Sequence, residues 1–301
     1  MFDTHGRIKC GTINTPDYEA SLRDYRERLE FGVAEESRVS ESLAALWGAP
    51  AMAGKRMALL ASSSGAGGFL RLVEGTAVPD YRPLRSYGWA SWEMTCREVF
   101  ALHDRIAGKG FDVIGPPKLV PGFDNFIPFQ VTGRAGEVLY LNEVLNGAMS
   151  DLDLPDAGAT VDFMFIAILA APDRAAAVRF HVEALGFTEG QTYVIPYSVI
   201  NTSFGLPDDF TTAMTMTKVG RLPGSEVDQY PDGTVERPVA PGELPPGNAL
   251  LSFIVDSLEA VRAPFLAPPA VQPGPMYGGR RVACVRGAAG ELIELIERTP
   301  A

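Results

Sequence analysis

Residues 287–297 read GAAGELIELIE, and residues 133–143 read GRAGEVLYLNE. Laid together they share Gly133/Gly287, Ala135/Ala289, Gly136/Gly290, Glu137/Glu291, Leu141/Leu295 and Glu143/Glu297. Each is a tight glycine turn followed by an apolar strand. One position differs tellingly: Glu294 stands where the other copy has Tyr140. A carboxylate among Leu292, Ile293, Leu295 and Ile296 is costly unless something holds it.

The likeness extends outward. IKCGTINTPDYEASLRDYRERLEFG (8–32) is a strand, a Pro-Asp helix start, then a helix, and FIAILAAPDRAAAVRFHVEALGF (165–187) repeats that plan. Asp17 and Asp173 are 173 − 17 = 156 apart, and the closing strands are 287 − 133 = 154 apart. Near-equal offsets over strands in the same order indicate an internal duplication. Each half has a second unit, WASWEMTCREVFALHDRIAGKGFDVIGPP (89–117) and LLSFIVDSLEAVRAPFLAPPA (250–270), the latter with a shorter, Pro-interrupted helix. The chain therefore reads as four strand–helix–strands units. A small, polar stretch reads as the linker, so the expected division is residues 1–148, a linker at 149–160, and residues 161–301. Residues 219–247, rich in Pro and Gly, read as a long loop within the second half.

Composition narrows the function classes. At 301 residues with 46% hydrophobic content, the chain is a globular sequence long enough for two domains. A net charge of −11 without a basic stripe argues against nucleic acid. No apolar run approaches a membrane span, and the N-terminus lacks a secretory h-region. Cys10, Cys96 and Cys284 are widely spaced and read as reduced thiols, so a cytoplasmic location is expected.

The strand–PD–helix–LGF opening, the SFIVDSLEAV unit and the GAAGELIELIE close resemble the vicinal oxygen chelate superfamily, which includes glyoxalase I, extradiol dioxygenases, and fosfomycin and bleomycin resistance proteins. The resemblance implies an α+β fold of four βαβββ modules, paired into two tandem domains with cupped mixed sheets. It also implies sheet edges that pair between chains, so a homodimer is an expected partner beside a small-molecule ligand. In metal-dependent relatives the ligands come from the first strand, the strand opening the second module, and the closing strand. Here those positions fall on Cys10, Trp89 and Tyr140, and on Ile166, Leu250 and Glu294. Only Glu294 is an ordinary ligand, and a hard ion needs several oxygen or nitrogen donors. No metal and no cofactor are expected.

Strand alternation places Cys10, Asn14, Trp89, Glu93, Tyr140 and Asn142 on one cup's face, and Ile166, Leu250, Ser252 and Glu294 on the other's. Three acid–base groups stand out: Glu294, whose desolvation in an apolar cup would raise its pKa, and Glu93 with Tyr140 as a base–acid pair. Trp89, Cys10, Asn14, Asn142, Leu250, Ser252, Ile166, Arg281 and Tyr277 are the candidate binding residues, with Arg281 placed to clamp a carboxylate. The expected function is metal-independent lyase or isomerase chemistry on a hydrophobic, aromatic small molecule. A binding protein without catalysis, and a metal-dependent enzyme with an atypical ligand set, are the alternatives.

Overall fold

The computed structural model describes residues 2–119, 126–145 and 152–300. Residues 149–151 of the expected linker lie outside the described residues. Four modules follow one another. The first holds β1 (Ile8–Thr15), α1 (Tyr18–Glu27), β2 (Gly32–Arg38), α2 (Glu41–Leu46), β3 (Arg56–Ala61) and β4 (Phe69–Glu74). The second holds β5 (Gly88–Cys96), α3 (Val99–Ile106), β6 (Asp112–Gly115), β7 (Phe126–Thr132) and β8 (Val138–Val144). The third holds β9 (Val161–Ala171), α4 (Arg174–Leu185), β10 (Thr188–Pro196), α5 (Ser198–Phe204), β11 (Thr211–Val219) and β12 (Leu222–Gln229). The fourth holds β13 (Gly247–Val255), β14 (Ala270–Gln272), β15 (Arg280–Arg286) and β16 (Leu292–Glu297).

The Pro-Asp helix starts work as read. Asp17 accepts from the Ala20 amide and Asp173 from the Ala176 amide, satisfying free donors of the first turn. The fourth module keeps only a single 3-10 turn, Leu258–Ala260, where a short helix was expected. The stretch read as a loop from 219 contains a strand: β12 begins at Leu222. Pro223 and Gly224 disguise it. A Cβ at Gly224 would come within 2.9 Å of the Phe253 ring, so close packing demands the glycine there. Beyond β12 the chain runs as an ordered strap. Arg237 donates to the carbonyls of Trp89 and Asn248, and the Leu244 carbonyl accepts from Asn14.

Sheet pairing departs from the sequential division. One eight-stranded sheet runs β14-β15-β16-β13-β1-β4-β3-β2, and the other β10-β11-β12-β9-β5-β8-β7-β6. The first module shares a sheet with the fourth through β1 and β13, and the second with the third through β5 and β9. Each cup is therefore built from both halves of the sequence. What remains within each half is the docking of helix on turn. In the first, the Tyr25 hydroxyl on α1 donates to Glu137 at the turn before β8 (3.0 Å). In the second, His181 on α4 faces Glu291 at the turn before β16 (3.4 Å). These two pairs occupy matching places in the duplication.

The two sheets meet back to back. Trp89 and Trp92 of β5 pack together there, with ring centroids 5.8 Å apart. Residues three apart on a regular strand face opposite ways, and a β-bulge between Trp89 and Ser91 re-aims the first of them so that both reach the same interior. The Trp89 indole donates to the Leu292 carbonyl of the opposite sheet, 2.8 Å away. Gly11 of β1 lies against this layer: a Cβ there would sit 3.0 Å from the Trp92 indole nitrogen and 2.5 Å from a Met164 methyl.

Because neither half closes a sheet alone, residues 1–148 and 161–301 expressed separately should each expose the unpaired edges of two core strands. We expect neither to give a cooperative thermal transition as a monomer, and the two mixed together to recover one. A cooperatively folded monomeric half, observed by circular dichroism and size-exclusion chromatography, would contradict this pairing.

Candidate functional site

The first cup, floored by β1, β4, β13 and β16, gathers Cys10, Thr12, Leu250, Ser252 and Glu294. Cys10 and Glu294, expected in separate cups, share this one. Glu294 is fully buried and surrounded by donors. Trp47, just past α2, donates at 2.8 Å, Tyr277 at 3.0 Å and Ser252 at 2.6 Å, and the Arg71 guanidinium lies 3.4 Å away. Arg71 is itself buried, bonded to the hydroxyls of Thr12 and Tyr277, and stacked 4.6 Å from the Trp47 ring. Burial works against the Arg71 charge, but Glu294 and Tyr277 hold it protonated. Trp47, Leu43, Met52 and Met276 fill the remainder of the cup.

This answers how a carboxylate survives mid-strand: a guanidinium and three neutral donors satisfy it. It also decides the fit to a metal ion in this cup. Arg71 supplies the positive charge at Glu294, and Leu250 has no donor. The residues do not fit an ion. Burial pushes the Cys10 thiol up to about 12, so it is no thiolate nucleophile. Asn14 spends its amide on the Leu244 carbonyl at the cup's rim.

The second cup, floored by β5, β8, β9 and β12, differs in kind. Glu93 pairs in register with Tyr140 on one side and Ile166 on the other, and Ile168 pairs with Glu226. Alternation then brings Asp228 onto the same face two residues on. Asn142 donates to Glu93 at 3.2 Å. The Tyr197 hydroxyl, entering just before α5, lies 3.5 Å from Glu226, and its ring stands edge-on to Tyr140 at 6.4 Å. Val199, Ile200 and Tyr230 are buried in the same apolar cluster, and Tyr87, Phe126, Tyr197, Phe204 and Met216, only half-buried, pack against it as an apolar, aromatic rim. Glu93 is the most open of the three acids.

Three carboxyl groups in one cup cannot all ionise cheaply. Burial raises Glu93 well above the usual carboxylate range, and the charge of Glu226 adds to it. Burial also carries Asp228 well up, with Glu226 and Glu93 contributing. Glu226 rises to about 7, held from rising further by hydrogen bonds from Asp228 and Tyr197. As a carboxylate, Asp228 has no donor for either oxygen. A proton on Asp228, given to Glu226, supplies the missing bond. Among the described residues, no three His, Cys, Asp or Glu side chains converge closely enough to hold a metal ion. As they stand, the residues of this cup do not fit one either.

The sequence reading thus divides. Glu93, Tyr140, Asn142 and Ile166 come together in the second cup, and Cys10, Leu250, Ser252, Tyr277 and Glu294 in the first. Trp89 belongs to neither, since the bulge turns it into the layer between sheets. Arg281 is no clamp: it pairs at the surface with Glu259 and Glu297, at 3.0 and 3.5 Å. Glu226 and Asp228 were missed because β12 reads as loop. The duplication held the signal: β1–β4 and β9–β12 pair in equivalent register, so Glu226 stands where the first module has Arg71.

Two predictions follow from these cups. Removing either partner of the buried Arg71–Glu294 pair strands the other charge, a loss of about 3–5 kcal/mol. Arg71→Met and Glu294→Gln should each destabilise strongly, and the double variant by much less than their sum in urea melts; additivity would show that the pair is not coupled. Separately, Glu226 and Glu137 both titrate near 7 when folded, burial being the main cause, against 4.5 ordinarily. The folded state then binds more protons than the unfolded, so its stability is greatest below about 4.5 from these groups and falls as pH rises through 7. Glu226→Gln should flatten that decline in thermal melts between pH 5 and 8.

No protein-family model matches the sequence, and comparison with curated proteins finds no relative. Solved structures do match. Glyoxalase I from Zea mays superposes with a TM-score of 0.63 at 15% identity, covering 97% of this chain and 92% of that one. A putative dioxygenase from Bacillus subtilis subsp. subtilis str. 168 gives 0.57 at 10% identity, covering 99% and 87%. Matches of this extent, with the four-module order and two cupped mixed sheets, establish that the chain has the glyoxalase/dioxygenase fold of the vicinal oxygen chelate superfamily.

Proposed function

We propose that the second cup is an active site, performing metal-independent acid–base chemistry of the lyase or isomerase type on a hydrophobic, aromatic small molecule. The observation that carries this reading is the cluster of Glu93, Glu226 and Asp228 beside Tyr140, beneath a half-buried aromatic rim. Fold alone gives no chemistry, so the weight rests on this site.

Glu93 is the base in this scheme. It is the most open acid, and burial raises its pKa well above the usual carboxylate range, which makes its carboxylate form a stronger proton acceptor. It takes a proton from the carbon next to a carbonyl of the substrate. Tyr140, whose pKa burial raises well above that of a free phenol, stays protonated and donates to the oxygen that gains charge. The electron pair then either accepts the proton back at another carbon, which is isomerisation, or expels a leaving group, which is elimination. Asn142 positions Glu93, and Asp228 and Glu226, sharing a proton, set its field. The aromatic rim receives the flat body of the substrate.

Glu294 has the weaker claim to this role, because its donors are all protein groups and it is shut from solvent. With a substrate found by screening aromatic carbonyl compounds, Glu93→Gln should lower kcat by about 100-fold or more while the fold is kept. Tyr140→Phe should lower kcat with a smaller effect on KM. Unchanged turnover in Glu93→Gln removes the base from the scheme. Recovery of every bound compound unaltered after long incubation favours a sequestering protein. Elemental analysis that finds about one metal ion per chain, lost in Glu226→Gln, would replace proton chemistry with metal chemistry.

A further inference from the structure

We infer that the second cup is built for an organic cation: a protonated amine carried on an apolar or aromatic body. This rests on the reading of that cup as the functional site and narrows its ligand. The groups that act on Glu93, Glu226 and Asp228 are one another, Asn142 and Tyr197; each contributes acid, amide or hydroxyl, and none a positive charge. The matching place in the first cup shows the contrast, for there Arg71 stands where Glu226 stands here, and neutralises Glu294.

A second, independent observation points the same way. Asn142 is almost fully buried and donates through its amide to Glu93, which leaves its Oδ1 with no partner. With Asp228, whose carboxylate form has no donor for either oxygen, the cup's floor holds acceptors short of donors once its protons are given up. An ammonium group supplies both what is missing in charge and what is missing in hydrogen. Above that floor, the Tyr140 and Tyr197 rings stand edge-on to each other with Phe126 nearby, while the face of Phe204 is already taken by Arg85. Aromatic faces around a carboxylate floor stabilise a cation through the ring quadrupoles. The overall charge of −11 adds a long-range attraction for cations.

Cation binding requires the cluster to give up protons. Glu226 titrates near 7, and Glu93 and Asp228 are raised as well; Tyr140, Tyr197 and Tyr230 stay protonated around them. Among the described residues, the basic groups beside this aromatic set are Arg237, which acts on Tyr230, and Arg85, whose guanidinium lies 4.1 Å from the Phe204 ring. Affinity for an amine should therefore strengthen as pH rises toward 8.

The test is calorimetric titration of the full chain with 2-phenylethylamine, with uncharged 2-phenylethanol, and with Mn2+ alone. We expect the amine to bind and the alcohol to bind at least about tenfold more weakly, the scale of a lost desolvated ion pair. Glu226→Gln and Asp228→Asn should each weaken the amine by a similar factor while the thermal midpoint at pH 8 stays level or rises. Equal binding of alcohol and amine would overturn the inference and leave the cup as a site for neutral aromatics. Mn2+ binding that needs Glu226, with no amine bound, would overturn it in favour of a metal site. No binding by any probe overturns it too, and the effect of Glu93→Gln on turnover then decides the broader reading separately.

Discussion

Two antiparallel seams hold this molecule together: β1 on β13, and β5 on β9. Each joins strands from opposite halves of the chain, so every cup floor is assembled from residues far apart in sequence. Cys10 meets Ser252 across the first seam, and Glu93 meets Ile166 across the second. The back-to-back packing depends on the same seams. Trp92 presses on Gly11, and the Trp89 indole reaches the Leu292 carbonyl, only because the central strands of both sheets are fixed in register. A slip by one residue would exchange every cup-facing side chain with a core-facing one.

The duplication has been resolved differently in the two cups, and charge shows how. In the first, Arg71 and Glu294 neutralise each other, and the Trp47 side chain fills the space above them. In the second, the same two positions carry Glu226 and Tyr140, and among the described residues no guanidinium acts on the acids there. One cup has become core, with polar groups satisfied internally. The other keeps acids whose pKa values burial has displaced, which is what functional sites do with titratable groups. The buried ties from helix to turn diverged in the same manner, Tyr25–Glu137 in one half and His181–Glu291 in the other.

Much of this was legible in the sequence. Four modules in order, the Pro-Asp helix starts, and the unusual setting of Glu294 follow from local patterns that depend on near neighbours. Glu93, Tyr140 and Asn142 were found because strand alternation is a local rule. The pairing of modules was not legible, since β1 accepts either β5 or β13 as a partner on pattern alone, and the choice is made by tertiary packing. Trp89 was misplaced because the bulge between it and Ser91 breaks the alternation on which the reading relied. Arg71 and Glu226 were missed for another reason. Pro223 and Gly224 look like loop residues, and without β12 the equivalence that singles out Arg71 cannot be drawn.

The nesting of one sheet inside the other in chain order has a consequence for biosynthesis. Strands of the inner sheet span residues 88–229, an unbroken run that is complete while the fourth module is still being made. The outer sheet needs β13 beside β1, so the β1–β4 portion keeps an open edge until β13 has been made. During that interval the exposed β1 edge has no partner of its own, and the charged β2 strand guards only the far side. Emergence of the chain is thus the clock for closing the first cup, and of the two seams the one between β1 and β13 waits longest for its second strand.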